Sequence, residues 1–122
     1  MNYEVLNDEN KNKFHLKLKM IDEVDRTLVQ LQEYIELKSD YDVKDIIRRI
    51  SDIRMFIKNY YPEDEYNADV MLNKLLFLIN DLYSYENGLA NYIKWSKNNN
   101  REDKVLKEID DRLYIDMMQI IG

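Results

Sequence analysis

The groups that could do chemistry in this chain are few and scattered. There is one histidine, His15, between Phe14 and Leu16. An imidazole serves as a general base only when an acid or a nucleophile is held within hydrogen-bond reach. No carboxylate stands three or four residues from His15, and nothing in the spacing of Ser39, Ser51, Ser84 and Ser96 suggests a triad with it. Cysteine is absent, which removes disulfides, thiolate metal sites and Cys nucleophiles, and suits a reducing compartment. Helical bundles that hold two metal ions use paired Glu-x-x-His elements, and none occurs here. Asp22, Asp25, Glu86 and Asp110 could be gathered into an all-carboxylate site only on grounds of abundance. With two glycines in the chain there is no Gly-rich phosphate loop. The expectation is a protein that is not an enzyme, with no catalytic residue, no cofactor and no metal ligand.

Charge offers a second class of chemistry. Lys11, Lys13, Lys17 and Lys19 cluster early, and Arg48, Arg49, Arg54 and Lys58 make a basic sector that could lie against phosphates as a nucleic-acid contact. Two facts oppose this. The net charge is −6, which repels polyanions. Asp45 and Asp52 stand four residues from Arg49 and Arg48, where ion pairs form along a helix. Nucleic acid is therefore a weak partner class. The mirror idea, an acidic mimic of nucleic acid built from residues such as Asp22, Glu23, Asp25 and Glu63, is weakened by the lysines and arginines interspersed among them.

The elements that position these residues are helices. Two Gly and one Pro among 122 residues are too few for the turns of a sandwich or barrel. Ala68 to Trp95 forms the spine: Ala68, Leu72, Leu75, Ile79, Leu82, Leu89 and Ile93 recur in steps of three and four, broken at Glu86. Glu86 reads as a rim carboxylate, with burial opposite a Lys or Arg as the alternative. Asn87-Gly88 is a turn-forming pair where the spine could kink or break; the registered Leu89 and Ile93 favour continuity. Residues 1–7 read as a short lead-in, with Asn7 or Asp8 capping a first helix that runs to about Lys38. Its seam is Phe14, Leu18, Ile21, Val24, Leu28, Leu31 and Ile35. A rival reading pairs the strictly alternating Phe14–Met20 with Tyr3–Leu6 in an N-terminal β-hairpin. The second helix spans Val43 to about Asn59, capped by Asp42, with Val43, Ile46, Ile47, Ile50, Ile53 and Ile57 inward. Pro62 suits the first turn of the spine helix. Asn98-Asn99-Asn100 is a loop, and the last helix runs from about Glu102 to Ile121 on Leu106, Ile109, Leu113, Met117 and Ile120.

Four helices joined by short connections predict an all-α four-helix bundle, mostly antiparallel and up-down, in a single domain over 1–122. No apolar run approaches the eighteen or so residues that cross a bilayer. The opening residues lack the basic-then-apolar order of a signal peptide, so the expected location is cytoplasmic, with no membrane partner. The heavy use of Asn, Lys, Ile and Tyr suits an AT-rich source such as a phage, a virus or a low-GC bacterium.

One surface stands out. Phe77, Ser84, Gly88 and Trp95 fall opposite the Leu/Ile seam, flanked by Tyr85 and Tyr92. Large aromatics beside small residues make a ridge with a notch, suited to a protein partner; the other reading covers both sides of the spine and makes these residues core. Met118 and Ile121 form a second apolar face suited to self-association. The expected function is a small acidic protein-binding module, an inhibitor or immunity/anti-defence factor of a phage or other mobile element that occludes a partner surface. A homodimeric structural or adaptor subunit is the alternative, and a nucleic-acid-binding accessory subunit a weaker one.

Overall fold

The computed structural model describes residues 3–38, 41–86 and 97–122, with side chains over 11–36, 41–83 and 97–122. The main elements are α1 (Tyr3–Lys38), α2 (Lys44–Asn59), α3 (Glu65–Glu86) and α4 (Glu102–Ile121). No strand occurs among the described residues. The chain is the expected all-α four-helix bundle, and the N-terminal hairpin is ruled out. Residues 3–7, expected as a lead-in, are the first turns of α1, which at about 1.5 Å per residue reaches roughly 50 Å. The alternation over Phe14–Met20 has a helical cause. Phe14 packs against the core and Leu18 is partly buried, while Leu16 and Met20, one turn apart on another side, are exposed.

The helix starts follow local chemistry. Asp42 Oδ1 accepts the Lys44 backbone N–H at 3.0 Å, so it serves the start of α2 although Val43 occupies the boundary position. Pro62 does not open the spine helix. It lies buried in the connection, and α3 begins at Glu65 after Asp64, whose Oδ1 accepts the Asn67 N–H at 2.7 Å. Asn100, in the left-handed region at φ 57°, turns the chain into α4, a conformation Asn tolerates better than most residues. Whether the spine runs on through Gly88, and the seam positions Leu89 and Ile93, lie outside the described residues.

The core is a layered aliphatic seam. α1 contributes Ile21, Val24, Leu28, Leu31 and Ile35; α2 contributes Ile46, Ile50, Ile53 and Ile57. Isoleucine is a mediocre helix former, so the interior packing of these four, each worth roughly 1.5–3 kcal/mol when fully buried, holds α2 in place. α4 buries Val105, Leu106, Ile109, Leu113 and Ile120, with Met117 only partly covered. α3 is rotated from expectation. Its buried row is Ala68, Met71, Leu75, Leu78 and Leu82, while Leu72 and Ile79 are half-buried at its side. Both rows have helical spacing, and only packing separates them.

The main interfaces are α1·α3, α2·α4, α3·α4 and α1·α2. Asp25 meets Arg54 and Asp22 meets Tyr61, so α1 and α2 run antiparallel. Lys17 meets Glu65 and Asp69 at the start of α3, while Met20–Thr27 lies along Ile79–Tyr83, so α1 and α3 run in the same direction. The short 60–64 connection thus links two helices whose larger interfaces are with α1 and α4.

Candidate functional site

Charge pairs close most edges of the bundle. Arg54 Nε donates to Asp25 Oδ1 at 2.9 Å between α2 and α1. Arg49 Nε donates to Asp110 Oδ1 between α2 and α4, and its guanidinium sits 4.8 Å from the centre of the Tyr114 ring. Arg112 donates to Asp81 at 3.0 Å between α4 and α3. Asp110 is the first cause that raises the Arg49 pKa, and the ring adds cation–π attraction. Arg48 pairs with Asp45 at 3.1 Å on the outer face of α2.

This placement bears on the basic sector. Arg49 and Arg54 are committed to other helices, and Arg48 to its own; Lys58 is exposed. Arg54 and Lys58 line an open cleft of about 590 Å³ between α1 and α2, but so do Asp22 and Asp25. In it the Tyr61 hydroxyl donates to Asp22 at 2.7 Å, and burial, then Asp22, pushes the phenol up to about 12. The carboxylates imagined as one site are in fact separate: Asp22 accepts from Tyr61, Asp25 from Arg54 and Asp110 from Arg49. The side chain of Glu86 lies outside the described residues. No cluster of three or more His, Asp or Glu is placed to hold a metal ion among the described residues, and none of their helices is long and apolar enough to cross a membrane. His15 is exposed.

The α1·α3 edge differs from the others. One ion pair group closes it at the start of α3, where Lys17 Nζ lies 2.8 Å from both Glu65 and Asp69. Hydrogen bonds to Asp69 and then Glu65 raise the Lys17 pKa. Beyond that point the α3 side of the edge is apolar, while Glu23 and Thr27 of α1 add polar groups. Leu72, Leu76, Ile79 and Tyr83 follow one another in steps of four and three, a second row beside the core seam. Leu16 and Met20 line the same side of α1. Leu16, Met20, Leu76 and Tyr83 are 60%, 52%, 50% and 69% exposed, where burial would be expected of a row this apolar. Between the helices runs a groove of about 200 Å³ lined by Met20, Glu23, Val24, Thr27, Ile79, Leu82 and Tyr83.

Of the ridge expected from sequence, Phe77 is exposed on the outer side of α3, next to Leu76 in the chain. Ser84 and Tyr85 belong to the last turn of α3, but their side chains, with Gly88, Tyr92 and Trp95, lie outside the described residues. Met118 and Ile121 are exposed as expected, with Tyr114 and Ile115 also exposed on α4.

Sequence reading missed two features. One is the lateral strip, whose signal was present in the surplus apolar positions of α3 and the alternation of α1. The other is Asp116. It is 2% exposed and stands in the row Ile109, Leu113, Asp116, Ile120, at the place where the sequence spacing suggests Met117. Its Oδ2 is buried with no hydrogen-bond partner. No family model, curated protein sequence or solved structure matches this chain.

Proposed function

We propose that this chain is a non-enzymatic protein-binding module that acts by covering a surface of a larger protein through its α1·α3 edge. The observation that carries the reading is the groove between α1 and α3 with exposed Met20 and Tyr83 in its lining, on an edge closed by charge at one end, with exposed Leu16 and Leu76 one turn from Met20 and two turns from Tyr83 along their helices. The partner is a protein that presents apolar anchors within a basic rim. Two carboxylates, Glu65 and Asp69, share one lysine at the edge, and the whole chain carries −6, whereas Glu23 in the groove is paired with Arg26 at 3.1 Å. Apolar anchors supply the affinity, and the surplus negative charge steers the encounter. Occlusion of this kind is how an inhibitor or immunity factor from a mobile element would work.

The test is capture from the source cell or its host with three baits: wild type, Met20→Asp/Tyr83→Asp, and Ile115→Asp on α4 as control. A retained protein is then purified and titrated calorimetrically at low and moderate salt. Loss of binding in the α1·α3 variant alone, with a Kd that weakens as salt rises, supports the reading. Equal binding by wild type and Met20→Asp/Tyr83→Asp refutes it.

A second reading rests on α4. Tyr114, Ile115, Met118 and Ile121 are each about half exposed and could pair two copies of the chain. Self-association at tens of micromolar that is abolished by Met118→Asp would favour that adaptor reading; a strict monomer would remove it.

A further inference from the structure

α2 and α3 share none of the main interfaces, and a pocket of about 560 Å³ remains where the 60–64 connection passes between them. The buried part of its lining is apolar, from Pro62 and Met71. Beside them stand aromatic rings. Phe56 and Tyr60, one turn apart at the end of α2, pack with ring centres 4.7 Å apart. Tyr61 follows, and its hydroxyl donates to Asp22 at 2.7 Å, which ties that ring to α1. Glu63 and Asp64 also line the pocket and are exposed. Both Asp64 oxygens accept from Asn67, at 2.7 and 3.0 Å. Glu63 makes no hydrogen bond or ion pair among the described residues. We propose that this pocket receives an arginine side chain of a partner protein, its guanidinium stacked on Tyr60 and paired with Glu63.

The chain already uses this combination within its own fold. Between α2 and α4 the Arg49 guanidinium lies 4.8 Å from the Tyr114 ring centre while Asp110 accepts its Nε–H. A ring and a carboxylate together hold one guanidinium. The pocket presents the same two kinds of group. Lys74 of α3 shows that its rings attract a cation: Nζ lies 5.7 Å from the Phe56 ring centre, near the outer limit of about 6 Å, and pairs with no carboxylate among the described residues. It covers Phe56 and leaves the Tyr60 ring, 66% exposed, and Glu63. Two carboxylates against one ammonium leave the lining net negative, within a chain of −6. Arginine suits it better than lysine, because a planar, weakly hydrated guanidinium stacks on a ring and still bonds a carboxylate. Tyr61 tied at its hydroxyl and Pro62 with its fixed φ set the lining before a ligand arrives, which lowers the ordering cost. No residue of α1 lines the pocket, so it is separate from the α1·α3 groove. The inference rests on the binding role proposed above only in naming a protein as the source of the arginine.

The test is an NMR titration of the full chain with the peptide acetyl-glycyl-arginyl-glycine amide, followed at the ring signals of Phe56, Tyr60 and Tyr61. The citrulline peptide, of the same shape without the charge, is the control. Arginine should give saturable shifts at these rings with a Kd on the order of 1–10 mM that weakens as salt rises, and citrulline should give none. Tyr60→Leu and Glu63→Gln should each weaken binding about two- to fivefold. Lys74→Met should tighten it about twofold or more, because it removes a like charge and uncovers Phe56. All three side chains are exposed, and circular dichroism checks that each variant is folded. Ring signals that stay fixed, equal shifts with citrulline, or a Kd unchanged by both Glu63→Gln and Lys74→Met overturn the inference. The titration needs no captured partner, so its failure leaves the α1·α3 reading standing, and failure of capture through that edge leaves the pocket standing.

Discussion

Removal of the Arg49–Asp110 contact should separate a structural cation from a binding one. The two side chains are 18% and 23% exposed, so the pair is neither solvated nor fully buried. A fully buried pair that loses one partner costs about 3–5 kcal/mol, and an exposed pair about 0–1. Asp110→Ala, which strands Arg49 over Tyr114, should therefore cost about 1–2 kcal/mol, an interpolation between those limits. Arg49→Met keeps the stem but strands Asp110 and forfeits the ring contact, worth about 0.5–1 kcal/mol, so it should cost about 2 kcal/mol. Arg49→Met/Asp110→Leu leaves neither charge unpaired and should lie within about 1 kcal/mol of wild type. The coupling across this cycle is then about 2–4 kcal/mol. Urea unfolding followed by circular dichroism measures it, and for a chain of this size about 1 kcal/mol moves Tm by roughly 3–5 °C. Arg48→Met, which loses only an exposed pair with Asp45, should change stability by less than about 0.5 kcal/mol. Additive single effects at Arg49 and Asp110 would refute the reasoning, since Arg49 would then be as free to meet an external phosphate as any surface arginine.

The rotation of α3 predicts that Leu78→Ala, at a fully buried side chain, costs about 2–5 kcal/mol, while Ile79→Ala, half-buried at the edge, costs about 1–2 kcal/mol; equal costs by urea unfolding would contradict it. Tyr61→Phe should lose about 0.5–1.5 kcal/mol with the hydrogen bond to Asp22. In wild type the phenol should titrate near 12 by ultraviolet absorbance. The folded state then holds a proton that the unfolded state releases near 10, so this contribution is complete below pH 10 and fades as pH rises toward 12; a phenol that titrates at 10 would sink the point. Asn100→Ala should destabilise by about 1–2 kcal/mol because its φ of 57° is left-handed, whereas Asn100→Gly should be nearly neutral; thermal unfolding compares the two.

The fold was legible because helix formation is written locally. Steps of three and four on α1, α2 and α4, with so few Gly and Pro, leave little else for the chain to be. What was not legible depends on packing between helices. On α3, Ala68, Leu72, Leu75, Ile79, Leu82 and Ala68, Met71, Leu75, Leu78, Leu82 are equally good seams in sequence. The choice is made by α1 on one side and α4 on the other. Asp116 was passed over for the same reason. A carboxylate one position from Met117 reads as surface until the packing of α4 against its neighbours is seen to bury it. The basic sector of α2 misled in the opposite direction, because the partners of Arg49 and Arg54 are 61 and 29 residues away. Local spacing could offer only Asp45 and Asp52.

The distribution of charge around the bundle makes the α1·α3 edge the informative one. A helix needs one apolar row to join a bundle, and polar residues then finish its flanks. α2 follows that rule in part: beside its isoleucine row stand Asp45, Arg49, Asp52 and Arg54, two of which reach across to neighbouring helices, with Ile47 and Phe56 half-buried and Met55 exposed among them. α3 does not. Beside its buried row it carries Leu72, Leu76, Ile79 and Tyr83, of which Ile79 and Tyr83 share a groove with Met20 of α1. The second row adds little to stability, since Leu76 and Tyr83 remain half exposed or more. In water it is a liability, because exposed contiguous apolar surface invites association. The proposed binding role would give that row a use, and on that proposal the carboxylates at its end would restrict which surfaces can take it up. On this argument Leu76→Lys/Tyr83→Lys should leave unfolding within about 0.5 kcal/mol of wild type and still abolish capture of the partner. A loss of stability as large as that of a core substitution would mean that the row is core after all.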